Sequence, residues 1–274
     1  MGKWAKDLFG REKFASVGFV LAGTINKKFE KKVLSLFDKF VSRKDSVYHA
    51  LLLKKGKHYY PLVANVYGGP AMMDVLTEMH DGGCRTVIFI GYAYGGFRRN
   101  LEVGSVVLPA KSFHFDGIYS PFDPSKTEAL PNRELRHIVK GILEKSGIEY
   151  CEGINISVPA VTFQLPHANE RYRQINPLTL EMELASCFSR CRDLGMRACG
   201  VLVISDNRSS SIRDDTKNKV RRNAKFIVLK SILKNVNKLR MPALRTKREF
   251  RIDEHLASII ESPYDSLNVY RQKK

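Results

Sequence analysis

Short apolar runs alternate with amphipathic stretches along most of this chain of 274 residues. The clearest apolar runs cover residues 17–21, 86–90 and 198–204, and each has the length and composition of a buried strand. Stretches with helical spacing separate them. This alternation predicts an α/β fold with a central sheet and covering helices.

Several further segments border the places where binding residues are expected. Residues 28–40, 181–192 and 217–239 have helical spacing, and residues 68–81 open with a proline that suits a first helical turn. Residues 91–96 contain three glycines and are predicted to form a turn directly after a strand. Because sites in α/β folds gather where strands end, such turns are the first places to look for function.

Positive charge is concentrated at the two ends of the chain, which carries a formal net charge of +18. Residues 1–55 hold 13 basic and 5 acidic side chains, residues 208–274 hold 18 and 7, and residues 56–207 are nearly neutral. An excess of this size points to an acidic partner such as nucleic acid. We expect one basic block to form the outer face of the predicted helix 217–239, either as a solvated surface or as a surface that contacts phosphates. The block consists of Lys217, Lys219, Arg221, Arg222, Lys225, Lys230, Lys234, Lys238 and Arg240.

Charge and motifs together predict three regions, a basic N-terminal segment (1–15), the domain (16–239) and a basic C-terminal extension (240–274). Apolar runs stay well short of the roughly 18 residues that a membrane span needs, and the first residues lack the apolar core of a secretory signal. The five cysteines have no zinc spacing, so reduced thiols and no metal site are expected. These features predict an intracellular protein, cytoplasmic or mitochondrial, without a membrane partner.

Five sequence segments occur in the order that is typical of one enzyme family. They are Gly68-Gly69-Pro70, residues 85–91, residues 101–107, Phe115-Asp116-Gly117 and Glu181-Met182-Glu183. Over residues 16–239 the chain therefore resembles the nucleoside phosphorylases, and residues 169–172 with Asn207-Arg208 are most similar to uridine phosphorylases. The resemblance implies cleavage of the bond between base and ribose, with inorganic phosphate as co-substrate and no other cofactor. It also implies an α/β fold with a central, mixed and twisted sheet that is flanked by helices in a single domain. A nucleoside ligand and a homodimer or larger homo-oligomer are implied as well.

The same resemblance implies roles for residues at the nucleoside end of a site. Glu183 takes the position of the carboxylate that binds ribose hydroxyls, and Phe163 that of the ring that packs on the base. Asn169 and Arg171 take the positions that read a uracil edge. The implied nucleoside-binding set is Phe163, Asn169, Arg171, Glu181, Met182 and Glu183. A second interpretation of Glu181 and Glu183 is that they are plain carboxylates at a helix N-terminus.

Two further residues are implied to be catalytic. Asp206 is closer to the purine-acting branch, in which an aspartate protonates the leaving base, and Arg208 corresponds to a lid arginine near the base. The base preference therefore stays open, because Asn169 and Arg171 favour uracil.

The phosphate end departs from the family pattern. Gly23 is kept from the first glycine turn, and Lys27 stands at the position of an arginine. Phe89 stands where the central phosphate arginine belongs, and Tyr92 replaces a threonine. An aromatic ring cannot replace a charge-assisted, bidentate contact to phosphate.

Two functions therefore stay open. The chain is either an enzyme acting on an N-glycosidic bond, with Lys27 and its neighbours holding phosphate or water replacing it, or a catalytically inactive family member. In the second case it would be a structural, RNA-contacting subunit of a ribonucleoprotein such as a mitochondrial ribosome.

Overall fold

The computed structural model describes residues 2–23, 25–42, 47–96, 101–121, 123–164, 170, 172, 174–242 and 244. Helices and strands alternate along these residues, as the apolar pattern predicted. In chain order they are α1 (Lys3–Phe9), β1 (Val17–Ala22), α2 (Lys27–Leu34), β2 (Lys39–Ser42), β3 (His49–Lys55), β4 (His58–Val66), α3 (Gly68–Asp81), β5 (Thr86–Tyr94), β6 (Val106–His114), β7 (Glu128–Ala129), α4 (Arg133–Lys145), β8 (Tyr150–Ser157), β9 (Thr179–Glu181), α5 (Leu184–Asp193), β10 (Arg197–Asp206) and α6 (Asn218–Lys234).

The ten strands of the described residues form one mixed sheet in which β5 is the hub. The order along the sheet is β10-β6-β8-β9-β5-β1-β4-β3-β2, and β7 pairs with β6. β5 also pairs with β10 in parallel and with β9 at Tyr94 and Leu180. Strands β5, β10, β6, β8 and β9 therefore close a ring, from which β1, β4, β3 and β2 extend. The predicted α/β class, with a mixed sheet flanked by helices in one domain, is confirmed.

Two apolar layers cover the sheet, and the alternation of side chains along β5 shows how they form. Val87 and Phe89 point into the layer under α1, α3 and α5, whereas Ile88 and Ile90 point into the layer under α2, α4 and α6. Successive side chains of a strand face opposite sides of a sheet, so a strand covered on both faces is apolar throughout. This is why residues 86–90 form a continuous apolar run.

The predicted turn at residues 91–96 is wrong, because β5 continues through Tyr94. Gly91 and Ala93 pair with Leu202 and Ile204 of β10 in the parallel ladder. A Cβ at Gly91 would lie 2.6 Å from the ring of Phe89. The glycine thus makes room for a buried ring within a strand, a use of glycine that sequence alone does not distinguish from a turn.

Two predicted helices have different limits in the structure. The predicted helix 28–40 stops at Leu34, and Lys39–Ser42 instead forms an edge strand against β3, with Phe40 opposite Leu53. The predicted helix 181–192 begins only at Leu184, because Thr179–Glu181 is strand β9. In each case pairing with a distant strand overrides the local helical spacing.

The N-terminal segment packs against α3 through α1. The carboxylate of Asp81 accepts hydrogen bonds from the N–H groups of Gly2 (2.7 Å), Trp4 (3.0 Å) and Ala5 (3.2 Å). Phe9 is buried in the same apolar layer as α3. Residues 245–274 of the predicted extension lie outside the described residues, so the region limits at 15 and 239 stay predictions.

Candidate functional site

A cavity of about 300 Å³ opens where β1, β5 and β10 end. The carboxyl ends of parallel strands meet at one edge of a sheet, which is where sites of α/β folds form. Tyrosine rings, carboxyl groups and the start of α6 share its wall. The lining residues are Ala22, Gly23, Tyr67, Tyr92, Ala93, Tyr94, Val161, Leu180, Glu181, Met182, Glu183, Ser205, Asp206, Ile212, Asn218, Arg221 and Arg222.

Glu183 is a buried carboxyl group on the wall of this cavity. Its Oε1 atom accepts a hydrogen bond from the Gly68 N–H at the start of α3 (2.7 Å). Burial, followed by the charge of Glu181, raises its pKa to about 8, and the charge of Lys225 acts in the opposite direction. Near neutral pH the group therefore carries a proton for much of the time. Met182 lies beside it on the wall, as the resemblance implied.

Glu181 also reaches the cavity wall, but protein donors engage both of its oxygens. Oε1 accepts from Asn155 Nδ2 (2.7 Å) and from the Ser157 hydroxyl, both on β8. Oε2 accepts from the N–H groups of Glu183 and Leu184, each at 2.7 Å. Glu181 thus holds the first turn of α5, and with it the backbone that carries Glu183. This arrangement matches the interpretation of Glu181 as a carboxylate at a helix N-terminus.

Asp206 lies on another part of the wall, at the end of β10. Its Oδ1 atom accepts a hydrogen bond from the Ser205 hydroxyl (2.5 Å). Burial raises the pKa of Asp206, while the Ser205 hydrogen bond and the charge of Arg221 oppose the rise. The cavity therefore holds a second carboxyl group that favours its protonated form more than an exposed aspartate does.

Two of the residues that are implied to lie near the base, Arg208 and Phe163, are close to the cavity but are not among its lining residues. Arg208 is exposed and outside the lining set, but its side chain hydrogen-bonds Tyr94, which is in that set. Phe163 is half exposed on a short 3₁₀ turn, two residues after the lining residue Val161. Asn169 and Arg171 lie outside the described residues, so the uracil-reading pair stays a prediction.

The ring of Tyr92 lies beside Gly23 on the wall of the cavity. The ring is 3.7 Å from the position that a Cβ on Gly23 would take. Burial raises the pKa of Tyr92 to about 12, so the ring carries a neutral hydroxyl. Phe89 is fully buried in the apolar core and is not among the lining residues. That these two positions correspond to a phosphate-binding arginine and threonine of the family stays a prediction.

Lys27 is not brought to the cavity. It is exposed and lines a separate surface groove between α2 and β2, together with Lys31 and Phe40. Gly23 does line the cavity, so the two residues implied for phosphate lie in different places.

Lys225 lies buried near the cavity, whereas the sequence analysis placed it on the outer face of a helix. Its side chain is 1% exposed, and Nζ donates a hydrogen bond to the Ala22 carbonyl (2.6 Å). The same Nζ lies 4.2 Å from the centre of the Tyr92 ring. Burial lowers the pKa of Lys225 to about 7, against the opposing charge of Glu183. A buried cation of this kind braces the end of β1 beneath the cavity.

Arg221 is buried as well, so the prediction that the whole basic block faces outward is wrong. Its guanidinium donates to the carbonyls of Ser205 (2.9 Å), Ile212 (2.7 Å) and Asp214 (2.9 Å). These contacts hold the loop between β10 and α6. The spacing of 221, 225, 228 and 232 could have shown this, because it places both cations on the stripe that also carries Val228 and Ile232.

No group of three or more His, Cys, Asp or Glu side chains converges on a metal site within the described part of the chain. No helix in that part is both long enough and apolar enough to cross a membrane. All five cysteines are free thiols.

The family model of the Phosphorylase superfamily matches residues 25–234. The chain belongs to this superfamily. The match begins two residues after Gly23 and includes Glu183, Asp206 and α6.

A curated relative supports the nucleoside branch. The chain is 26% identical to the uridine phosphorylase of Haemophilus influenzae over 156 residues, which is 52% of this chain and 62% of that protein. The alignment thus spans less than two thirds of the relative. Nucleoside phosphorylases use inorganic phosphate as co-substrate, which makes phosphate the first co-substrate to test.

Solved structures show the same fold. The 5′-methylthioadenosine/S-adenosyl homocysteine nucleosidase of Campylobacter jejuni has a TM-score of 0.70 at 17% identity and covers 82% of this chain and 100% of its own. Uridine phosphorylase from Vibrio fischeri ES114 has a TM-score of 0.70 at 16% identity and covers 82% and 93%. Purine nucleoside phosphorylase from Toxoplasma gondii has a TM-score of 0.69 at 15% identity and covers 83% and 93%.

Proposed function

We propose that this chain binds a nucleoside in the cavity and cleaves its N-glycosidic bond with water instead of phosphate. One observation carries the proposal: the carboxyl groups of Glu183 and Asp206 line the cavity, while the neutral ring of Tyr92 lies against Gly23. The cavity thus offers carboxyl groups to a nucleoside, and an aromatic ring stands where the family resemblance implies a phosphate contact.

Glu183 would accept hydrogen bonds from the ribose hydroxyls. A carboxylate at that place also stabilises the positive charge that develops on the ribose when the bond to the base breaks. Its raised pKa does not oppose this role, because hydroxyl donors favour the ionised form and lower the pKa when the ligand binds.

Asp206 would act as the general acid. Burial raises its pKa and so favours the protonated form more than in an exposed aspartate, and that form can give its proton to the departing base. In the reaction the oxygen of water forms a bond to C1′ and the bond from C1′ to the base nitrogen breaks. The base leaves with the electron pair of that bond and takes the proton of Asp206. The attacking water loses a proton to solvent, and Asp206 takes up a proton from solvent again. The products are the free base and ribose.

Lys225 does not supply the missing phosphate contact in this proposal. Its ammonium donates to the Ala22 carbonyl and lies against the Tyr92 ring, so its charge faces protein atoms. Arg221 is likewise engaged by three carbonyl groups. Arg222 also lines the cavity. Water needs no cation beside Gly23, where the Tyr92 ring stands, and for this reason hydrolysis fits this end of the cavity better than phosphorolysis.

The test is to incubate the purified chain with uridine or adenosine, with and without inorganic phosphate, and to separate free base from nucleoside by chromatography. We expect base release that phosphate does not accelerate, and loss of that release in Glu183→Gln and Asp206→Asn. Glu102→Gln, an exposed carboxylate outside the cavity lining, is the matched control and should retain activity. Release that requires phosphate would contradict the proposal, as would a folded protein that neither binds nor cleaves either nucleoside.

A second candidate function rests on the exposed cations of α6 and the turns beside it. Lys217, Lys219 and Arg222 are exposed near its start, and Lys234, Lys238 and Arg240 near or beyond its end. Such a surface suits an inactive family member that contacts RNA. Binding of a structured RNA that weakens steeply with salt, and weakens again in Lys234→Gln/Lys238→Gln, would support it if no base is released. RNA binding that is indifferent to salt would argue against it.

The predicted homodimer or larger homo-oligomer belongs to the enzymatic proposal. Tyr67, Val161 and Ile212 line the cavity and are each about half exposed, so its mouth has an apolar rim that a second copy could cover. Sedimentation equilibrium tests this expectation, and a monomer at micromolar concentration would contradict it.

A further inference from the structure

A second concave surface, which we call the α2–α6 groove, lies between these two helices and has a volume of about 320 Å³. Its wall is rich in ammonium, guanidinium and amide groups. The lining residues are Asn26, Lys28, Phe29, Lys32, Asp215, Asn218, Lys219, Arg222, Asn223 and Phe226.

The charge of this groove is unbalanced. Four cations, Lys28, Lys32, Lys219 and Arg222, share it with one carboxylate, Asp215. Asp215 already accepts a hydrogen bond from the side chain of Asn218. Among the described residues, none of the four cations has a carboxylate within ion-pair distance. The groove therefore presents cations that the rest of the described chain does not neutralise.

An aromatic floor gives the groove a defined shape. Phe29 is buried, and its ring meets that of Phe226 edge to face with 6.0 Å between ring centres. Lys32 Nζ lies 5.2 Å from the centre of the Phe226 ring. A cation held over an aromatic ring is restricted in its motion, so at least one ammonium is held at the groove before any ligand arrives.

The groove adjoins the cavity that holds Glu183. Asn218 and Arg222, both in the first turns of α6, line the groove and the cavity at once. A ligand whose nucleoside lies in the cavity would therefore place a charged substituent in the groove by passing these two side chains. Arg222 is the cation best suited to that boundary, because a guanidinium can bind two oxygens of one phosphate.

We propose that the α2–α6 groove is a phosphate-binding site and that the preferred ligand of this chain is a nucleotide, with its nucleoside in the cavity and its phosphate in the groove. This inference rests on the proposed function for the nucleoside part. The phosphate part rests on the groove alone. The same phosphate chemistry can come from a nucleotide ester or from free orthophosphate, and the experiment below separates the two.

The experiment measures dissociation constants by isothermal titration calorimetry for uridine, adenosine, their 5′- and 3′-monophosphates, and orthophosphate alone. We expect at least one monophosphate to bind roughly tenfold or more tightly than its nucleoside at low salt, with a preference that shrinks as salt is added. Lys32→Gln/Lys219→Gln removes two cations of the groove that do not line the cavity. In this variant the ratio of nucleotide to nucleoside affinity should fall toward one.

The matched control is Lys234→Gln/Lys238→Gln, which removes the same charge from exposed positions outside the groove. It should keep most of the preference for monophosphates over nucleosides, because it lowers the overall positive charge without removing a cation of the groove. Orthophosphate that displaces a nucleotide, and binds less tightly to the groove variant, would show that free phosphate uses the same site. Nucleotide preference without orthophosphate binding would assign the site to the ester.

The results that overturn this inference differ from those that overturn the proposed function. Equal affinity for nucleosides and all their monophosphates would refute the phosphate site and leave nucleoside binding intact. The same holds for a nucleotide preference that the groove variant and the control variant reduce equally. Orthophosphate binding that the groove variant weakens, with no nucleoside binding at all, would retain the phosphate site and refute the nucleoside function.

Discussion

The ammonium group of Lys225 lies 4.2 Å from the centre of the Tyr92 ring, beneath the glycine end of the cavity. The ring fills space next to Gly23, and the ammonium donates to the Ala22 carbonyl on the same stretch of chain. Both side chains are thus held by contacts within the protein at this end of the cavity. The carboxyl groups of Glu183 and Asp206 also line the cavity, and they are the groups that we propose a ligand uses.

Removing the Tyr92 ring should reopen the glycine end. We expect Tyr92→Ser to lower the free energy of unfolding by roughly 2–4 kcal/mol, since a largely buried ring is lost. It should also uncover the Lys225 ammonium and add orthophosphate binding beyond that of the wild type. Urea unfolding and a ³¹P NMR titration test the two effects. Tyr92→Phe keeps the ring and should bind orthophosphate no more tightly than the wild type, and an equal gain in both variants would rule out ring removal as the cause.

Replacing Lys225 by methionine should stabilise the protein most at low pH. The pKa of Lys225 is about 7 in the folded state and about 10.5 in an unfolded chain. Between these values the unfolded state binds more protons, so stability rises with pH, and below pH 7 the folded state carries the full cost of the buried charge. We expect Lys225→Met to gain roughly 2–4 kcal/mol at pH 6, and less toward pH 10.

Thermal unfolding at pH 6, 8 and 9.5 checks this expectation, with Lys234→Met as the exposed control on the same helix. A gain of equal size at every pH would mean that better packing, and not removal of a buried charge, explains the effect.

Nucleoside affinity should rise as pH increases through about 8. Ribose hydroxyls donate to the ionised form of Glu183, whose pKa in the unliganded protein is about 8. Glu183→Gln should weaken binding roughly tenfold or more and remove this pH dependence. In Lys225→Met the midpoint should move to higher pH, because the charge of Lys225 lowers the pKa of Glu183. Calorimetric titrations from pH 6 to 9.5 measure the affinity of the wild type and of both variants. A wild-type affinity that falls over this range would exclude an ionised Glu183 as the acceptor.

Replacing Glu181 by glutamine should lower the free energy of unfolding much more than the same replacement of Glu183. Glu181 accepts four hydrogen bonds, so Glu181→Gln turns a donor group toward other donors and should cost roughly 2–4 kcal/mol of unfolding free energy. The pKa of Glu183 is about 8, so the neutral Glu183→Gln variant should lose little free energy of unfolding at pH 6.5. Urea denaturation at that pH compares the two, and similar losses would contradict the structural role assigned to Glu181.

Base release should fall as pH rises through the pKa of Asp206. That pKa is raised by burial, and the protonated group is the form that can act as an acid. Asp206→Asn should lose roughly a hundredfold or more in rate while it keeps nucleoside affinity within a few fold. Single-turnover rates across pH 5–9 provide the measurement. A rate that increases over this range in the wild type would assign Asp206 a different role.

Local patterns were sufficient for most elements. Apolar runs placed β1, β5 and β10 near their observed positions, because strands covered on both faces are apolar throughout. The cavity lies at their ends, and its lining includes Glu183 and Asp206, which the family resemblance singled out and whose roles stay predictions. The ends of α2 and β5 and the start of α5 could not be predicted from local sequence, because pairing with another strand determines each of them.

The sequence by itself determined the α/β class and the family, since these depend on residue types in a fixed order. Tertiary structure alone decided the roles of individual charged groups. Lys225 reaches a carbonyl that is 203 residues away, and Glu181 receives its side-chain donors from β8. Whether a charge faces solvent, a ligand or the protein depends on which distant groups surround it, because burial makes an unpaired charge costly.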